Sequence, residues 1–420
     1  MHSRKGESGQ QGRVRRIMPS LLVMVAVALG ATACGSSGSS SSSASSPSSS
    51  GGSKSSTTSS SSSSSSPSVQ YAYAGSAQDT ATAKADGAKA ASTHASAPSG
   101  KSIGVIELSG TSAESIDVVA AARKIGSMFG YSVNVCDPNF DPQKIPQCAT
   151  SIVAQKPSVV FSVSTNPGPL GSGFRQAVSQ GIPWFGVVSS PTPAPGMYDY
   201  GNNGIALSKL LDPYVFKLMA QKDPSDSQLG LLAIDAPTVG LASYNEGTQL
   251  VADAKGNPKI KLIKHDLDLA NAVQDTLSTS HQTLVQNPKL AGMWTLCDFC
   301  LPLMAQTVQN VEGHNRHTVV AGMYSNPQSV ADVRNGTVDA VADYPWAFSV
   351  WAAMDQTLQH WANGKKITPS LTSLLPSYGL PFFQPYIITK SNAGTGPIPV
   401  YGPDFESYFT AKWSKEFGVK

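Results

Sequence analysis

Across 420 residues the chain carries only 14% charged side chains and 5 cysteines, and the short signatures of common enzyme chemistry are missing. There is no G-x-S-x-G elbow to present a serine nucleophile. No glycine-rich loop ends in G-K-[ST], and no G-x-G-x-x-G follows a strand. "GPLGSG" (168–173) supplies turn glycines but no lysine for a phosphate. The close histidine pair, His314 and His317 in "EGHNRH", lies in a polar loop before a strand and reads as a solvated turn rather than a metal site. Acids are scattered, so no carboxylate pair can be assigned to acid–base work. The expectation is binding without turnover, with no catalytic residue, cofactor or metal.

A basic face is missing as well. Lys and Arg number 30 against 27 Asp and Glu, but the leader holds Arg4, Lys5, Arg13, Arg15 and Arg16 against Glu7 alone. That leaves 25 basic and 26 acidic residues, too balanced for a nucleic-acid partner. The early apolar run, "LLVMVAVALGA", is about half the roughly 20 residues that span a bilayer. A basic region, a short apolar core and the small residues of "ATAC" describe a secretory signal over residues 1–33. The cysteine after them looks like a bacterial lipobox, with Ala31 where leucine is commonest and Leu29 two places earlier. Cys34 is therefore expected to carry a lipid, holding the protein to the outer face of the cell membrane.

Residues 34–100 are expected to form a disordered linker. Their Ser- and Gly-rich first part cannot bury enough apolar area to offset chain entropy, and the Ala-rich remainder is at most weakly helical around "DTATAKADGAKAA". From Lys101 apolar strands alternate with amphipathic helices: "SIGVIEL", "YSVNVCD", "PSVVFSVS" and "IPWFGVVS", then a restart at "QLGLLAID". Thr111 and Glu114 have capping-box spacing at the first of these helices, and Pro146 suits the first turn of the next. Strands apolar throughout, alternating with helices, predict an α/β fold with parallel sheets covered on both faces, here as two Rossmann-like lobes. Ligands in such folds sit beyond the carboxyl ends of the strands.

The order of segments resembles the type I periplasmic solute-binding proteins, the ribose-binding-protein-like receptors of ABC importers. The resemblance runs from about Lys101 to Lys390 and is carried best by "GYSVNVCDPNFDPQKIPQCATSIVAQKPSVVFSVSTNP". "QAVSQGIPWFGVVSS" and "TVVAGMYSNPQSVADVRNGTVDAVADYP" add to it. Position by position, the Asn-Pro of the third loop is Asn166-Pro167, whereas an aspartate used by sugar binders falls at Ser189 or Ser190. The arginine falls near Ala242, the asparagine of an Asn-Asp pair becomes Cys297 beside Asp298, and two further polar positions become Tyr324 and Asp343. The resemblance therefore implies binding while placing sugar in doubt. It implies a cleft lined by Ser109, Thr111, Asn166, Ser190, Asp298, Tyr324, Asp343 and Trp346, with Tyr344 nearby. Asp298 reads equally as the N-cap of the helix "LPLMAQTVQNV". Two carboxylates without the arginine suggest a polar or cationic ligand.

The lobes expected are 101–202 with 346–376, and 203–345, with 377–420 as hinge return and C-terminal segment. Crossings are placed near Gly201–Gly204, Asp343–Trp346 and Ser377–Pro385. Binding would shift the population toward closure and change the fluorescence of Trp184 and Trp346. Four cysteines besides Cys34 allow three pairings. Cys136 and Cys148 lie within one strand–helix unit, and a bridge from either to Cys297 or Cys300 would staple the lobes. Cys136–Cys148 and Cys297–Cys300 are thus the expected disulfides. Implied partners are a small solute, ABC permease subunits and the membrane, with the protein itself a monomer. The alternatives are a ligand-sensing lipoprotein for a membrane signalling partner, or a thiol-redox protein using Cys297 and Cys300.

Overall fold

The computed structural model describes residues 77–92, 94–202, 204–236, 244–397 and 402–419. The signal segment, Cys34 and the Ser-rich stretch lie outside them, as does Ala242. The elements in order are α1 (Ala77–Ala90), β1 (Ser102–Ile106), α2 (Ala113–Phe129), β2 (Ser132–Cys136), α3 (Ile145–Ala154), β3 (Val159–Val163), α4 (Pro167–Ser179), β4 (Trp184–Ser189) and β5 (Met197–Asn202). They continue with α5 (Gly204–Lys222), β6 (Leu229–Asp235), α6 (Tyr244–Gly256), β7 (Ile260–Asp266), α7 (Ala272–Gln286), β8 (Leu290–Thr295), α8 (Cys300–Glu312), β9 (Val319–Met323), α9 (Pro327–Asn335) and β10 (Ala340–Asp343). Last come α10 (Ala347–Asn363), α11 (Leu371–Leu374), β11 (Tyr386–Ile388) and α12 (Phe405–Phe417).

The fold is α/β, with two sheets. The first is wholly parallel, in the order β2-β1-β3-β4-β5, and the second runs β11-β10-β9-β8-β6-β7 with only β11 antiparallel. Central strands such as β3 and β8 are buried along their whole length, as parallel strands covered on both faces must be. Each sheet therefore needs its own helices: α2, α3 and α10 lie on the first, and α5 and α8 on the second. Both sheets follow the doubly wound pattern, which brings the strand carboxyl ends to one edge.

The chain passes between lobes at the ends of β5 and β10 and again between α11 and β11. Glycine is required at the first passage. A Cβ on Gly201 would lie 2.2 Å from the Ser189 carbonyl carbon, and one on Gly204 would lie 2.3 Å from the Glu246 carboxylate. The segment 377–420 divides: β11 extends the second sheet, whereas α12 packs against α10 of the first lobe.

Two expectations change. The linker was placed to residue 100, yet α1 packs along α12, so closely that a Cβ on Gly87 would lie 2.1 Å from the Tyr408 carbonyl oxygen. After α1, the Ser92 N–H donates to Glu416 Oε1 (2.7 Å), the Ala95 N–H to the Glu416 carbonyl (2.9 Å), and Tyr131 Oη to the Pro98 carbonyl (2.7 Å). Small alanines let the helix approach, and the acidic partner lies more than 300 positions away in sequence. The second change concerns Trp184. It begins β4, at the end remote from the cleft, where it is fully buried and Nε1 donates to Ser162 Oγ (3.0 Å). Trp184 thus gives no reason to expect a signal from closure.

Candidate functional site

The carboxyl ends of β1, β3 and β4 in one lobe face those of β6, β8 and β9 in the other. Between them lies a cavity of about 30 Å³, lined by Glu114, Ser164, Ser189, Asp298, Tyr324 and apolar side chains that include Leu108, Leu267 and Leu296. Three non-glycine residues at these strand ends take left-handed backbone angles: Ser164 (φ 46°), Val188 (φ 72°) and Tyr324 (φ 67°). Such conformations cost of order 1–3 kcal/mol each and gather where a fold orients side chains for a task. Here they turn Ser164 and Tyr324 toward the cavity, an effect no sequence pattern signals.

The lobes touch directly. The Ala113 N–H, at the start of α2, donates to Asp298 Oδ2 across the cleft (3.0 Å). A chain of hydroxyls also crosses: Ser164 Oγ to Ser189 Oγ (3.3 Å), Ser189 Oγ to Tyr324 Oη (3.3 Å), and Tyr324 Oη to Glu246 Oε1 (2.7 Å). The tyrosine hydroxyl has one proton and donates it in the hydrogen bond to Glu246, so Ser189 is the donor in its bond to Tyr324. Phe140 and Phe299 meet with ring centroids 4.9 Å apart and close the cavity on its outer side. Beyond them opens a groove of about 650 Å³ bordered by Thr111, Asn139, Asp141, Lys144, Asn271 and Gln274.

Burial dominates the electrostatics. It pushes Glu114 well above the usual carboxylate range, with Asp298 adding repulsion. Asp298 is pushed up to about 6 by burial, against hydrogen bonds from the Ala113 and Phe299 N–H groups. Burial likewise raises Glu246 to about 7, opposed by the Tyr324 hydroxyl, and Asp343 to about 7, opposed by Ser325 and Tyr344. Unpaired buried carboxylates favour their neutral form, because the interior solvates charge poorly.

Of the residues expected in the cleft, Asp298 and Tyr324 line the inner cavity and Thr111 the outer groove. The others serve nearby contacts. Ser109 Oγ bonds Thr111 Oγ1 (2.9 Å), and Asn166 Oδ1 accepts from the Thr192 N–H (2.7 Å) and hydroxyl (3.0 Å). Ser190 Oγ donates to the Asn202 carbonyl (2.7 Å), and Asp343 accepts from the Ser325 N–H (2.9 Å), the Ser325 hydroxyl and the Tyr344 N–H (2.7 Å). Trp346 packs edge-on against Tyr324, centroids 5.0 Å apart. Asp298 does not cap its own helix: α8 begins after Phe299, and the carboxylate reaches α2 instead. The capping box of Thr111 and Glu114 does not form either, since α2 begins at Ala113 after Ser112 and carries Glu114 inward. Glu114 was missed because its spacing imitates a cap. Disulfides join Cys136 to Cys148 (Cα–Cα 5.4 Å) and Cys297 to Cys300 (5.2 Å), as expected. The second brackets Asp298 and fixes the turn that presents it.

A profile of the periplasmic binding protein domain matches residues 108–366, well over half of the chain. The chain belongs to the periplasmic binding proteins. A search of curated proteins found no match. Among solved structures, an ABC transporter solute-binding protein from Mycobacterium smegmatis with bound glycerol is similar at TM-score 0.59 and 16% identity, covering 72% of this chain and 99% of that one. One from Agrobacterium vitis bound with alpha-D-tagatopyranose also gives 0.59 at 15% identity, over 72% and 99%. The Caulobacter myo-inositol binding protein bound to myo-inositol gives 0.56 at 18% identity, over 70% and 96%. At such identities the likeness is one of fold, that of two-lobed solute-binding proteins. Members of this family are extracytoplasmic, and among the described residues no helix is long and apolar enough to cross a membrane.

Proposed function

We propose that this protein is the extracytoplasmic solute-binding lipoprotein of an ABC-type importer, taking a small polar solute into the interlobe cleft by hinge closure. The observation that carries the reading is the cavity itself: polar groups from both lobes converge on it and bond across it. Contacts of this kind exist only when the lobes are shut, so a solute that fills the site favours the closed form. Asp298, Tyr324 and Thr111 would contact the solute, while Ser109, Asn166, Ser190, Asp343 and Trp346 would hold the loops that present them. Cys34 would carry the lipid, the Ser-rich tether would give reach, and the closed lobes would dock on the permease. Neighbours solved with glycerol, tagatopyranose and myo-inositol favour a compact solute with several hydrogen-bonding groups. The thiol-redox alternative is disfavoured by burial, since Cys297 is 6% and Cys300 0% exposed.

A melting-temperature screen over sugars, polyols, amino acids and polyamines, with hits confirmed by calorimetry, tests the reading. A solute at 100 times its Kd stabilises by about 2.7 kcal/mol, an easily measured shift. The gain should be lost in Asp298→Ala. A screen with no binder in any class would contradict it.

A further inference from the structure

We propose that the solute of this cleft bears a protonated amine, held between Glu114 of one lobe and Asp298 of the other. The inference rests on the solute-binding reading and names the chemistry of that same site. Three features of the cavity lead to it.

The first is an imbalance of donors and acceptors. The three hydroxyls on the cavity wall, Ser164, Ser189 and Tyr324, pass their protons along one line that ends on Glu246. Their donors are spent within the protein, and what remains facing inward is acceptor capacity. A sugar hydroxyl both gives and takes hydrogen bonds, whereas an ammonium only gives. A wall rich in acceptors and poor in free donors suits the second.

The second is Glu114. It is 5% exposed, lines the cavity, and its Oε2 has no hydrogen-bond partner among the described residues. Buried polar atoms are nearly always paired, so an orphan oxygen beside a cavity marks the place of a missing donor. The third is charge. Glu114 and Asp298 come from opposite lobes, and no basic side chain lines the cavity among the described residues. Lys144, in the outer groove, already pairs with Asp141 (3.6 Å). Two ionised carboxylates closing on each other repel, so they either take up a proton or are joined by a positive group, and an ammonium between them lets both stay ionised.

Size fits the same assignment. The inner cavity, about 30 Å³, admits one ammonium group. The Phe140 and Phe299 rings, now in contact, would part to flank the carbon beside it, and the rest of the solute would lie in the outer groove.

Calorimetry on the purified full chain tests this with probes that differ only in an amine: 3-amino-1,2-propanediol against glycerol, glucosamine against glucose, and putrescine against 1,4-butanediol. At least one amine should bind tenfold or more tightly than its hydroxyl counterpart. Glu114→Gln, which keeps the shape, should erase that preference, and Asp298→Asn should do the same if the first variant does not fold. Hydroxyl compounds binding as well as the amines would overturn the amine assignment and leave solute binding standing. So would an amine preference that survives in both variants. Failure of every solute, here and in the wider screen, would remove both readings.

Discussion

Replacing Tyr324 by Phe takes one oxygen from the middle of the cross-lobe hydroxyl chain and keeps the ring that packs on Trp346. Glu246 then loses its partner on Oε1, while Oε2 already lacks one among the described residues. A hydrogen bond to a charged acceptor contributes about 1.5–3 kcal/mol and one between neutral groups about 0.5–1.5. Glu246 titrates at about 7. The loss should therefore approach about 2–3 kcal/mol at pH 8 and fall to about 1 kcal/mol at pH 5.5. The sign follows from linkage: the tyrosine lowers the Glu246 pKa, its removal raises it further, and the deficit grows as pH rises through 7. At about 2.1 cal/mol/K per residue, a folded body of roughly 340 residues loses about 1.4 °C per kcal/mol. Scanning calorimetry should show a drop of about 3–4 °C at pH 8 and about 1–2 °C at pH 5.5. An equal drop at both, or none above about 1 °C at pH 8, would refute the reasoning.

Burial raises Asp117 and Asp343 as well as Glu246 to about 7, so between about pH 4 and 7 the folded state binds more protons than the unfolded. Stability then falls as pH rises through that window, and melting should occur at least a few degrees higher at pH 5.5 than at pH 8; a flat profile would contradict this. Joint replacement of Cys136 and Cys148 by Ser opens a loop of sequence separation 12 and should cost about 3 kcal/mol, whereas a shift under about 1 °C would count against it. A chain starting at Lys101 loses α1 and the bonds of Ser92 and Ala95 to Glu416. It should melt several degrees below one starting at Ala77; equal melting would mean that α1 docks without consequence.

The two-lobed fold was legible because its signals are local and repeated. "PSVVFSVS" is apolar enough to be a buried parallel strand, and each such run is followed by an amphipathic stretch. The cysteine pairs were legible because proximity along the chain and the freedom of the hinge exclude the cross-lobe bridges. The site was less so, because it depends on which way a few side chains turn at strand ends. Glu114 stands three residues after Thr111, as a cap would, and the start of α2 two residues past Thr111 turns it inward. Asp298 looks like the cap of α8 and caps the opposite lobe instead. The docking of α1 was hidden for another reason: its partners, Tyr408 and Glu416, lie at the far end of the chain.

Small-angle scattering of the chain from Ala77, titrated with a solute identified by melting and calorimetry, tests capture by closure most directly. The account predicts that the radius of gyration falls with saturation and levels off at the calorimetric endpoint. A solute that saturates the protein while the scattering stays unchanged would contradict it.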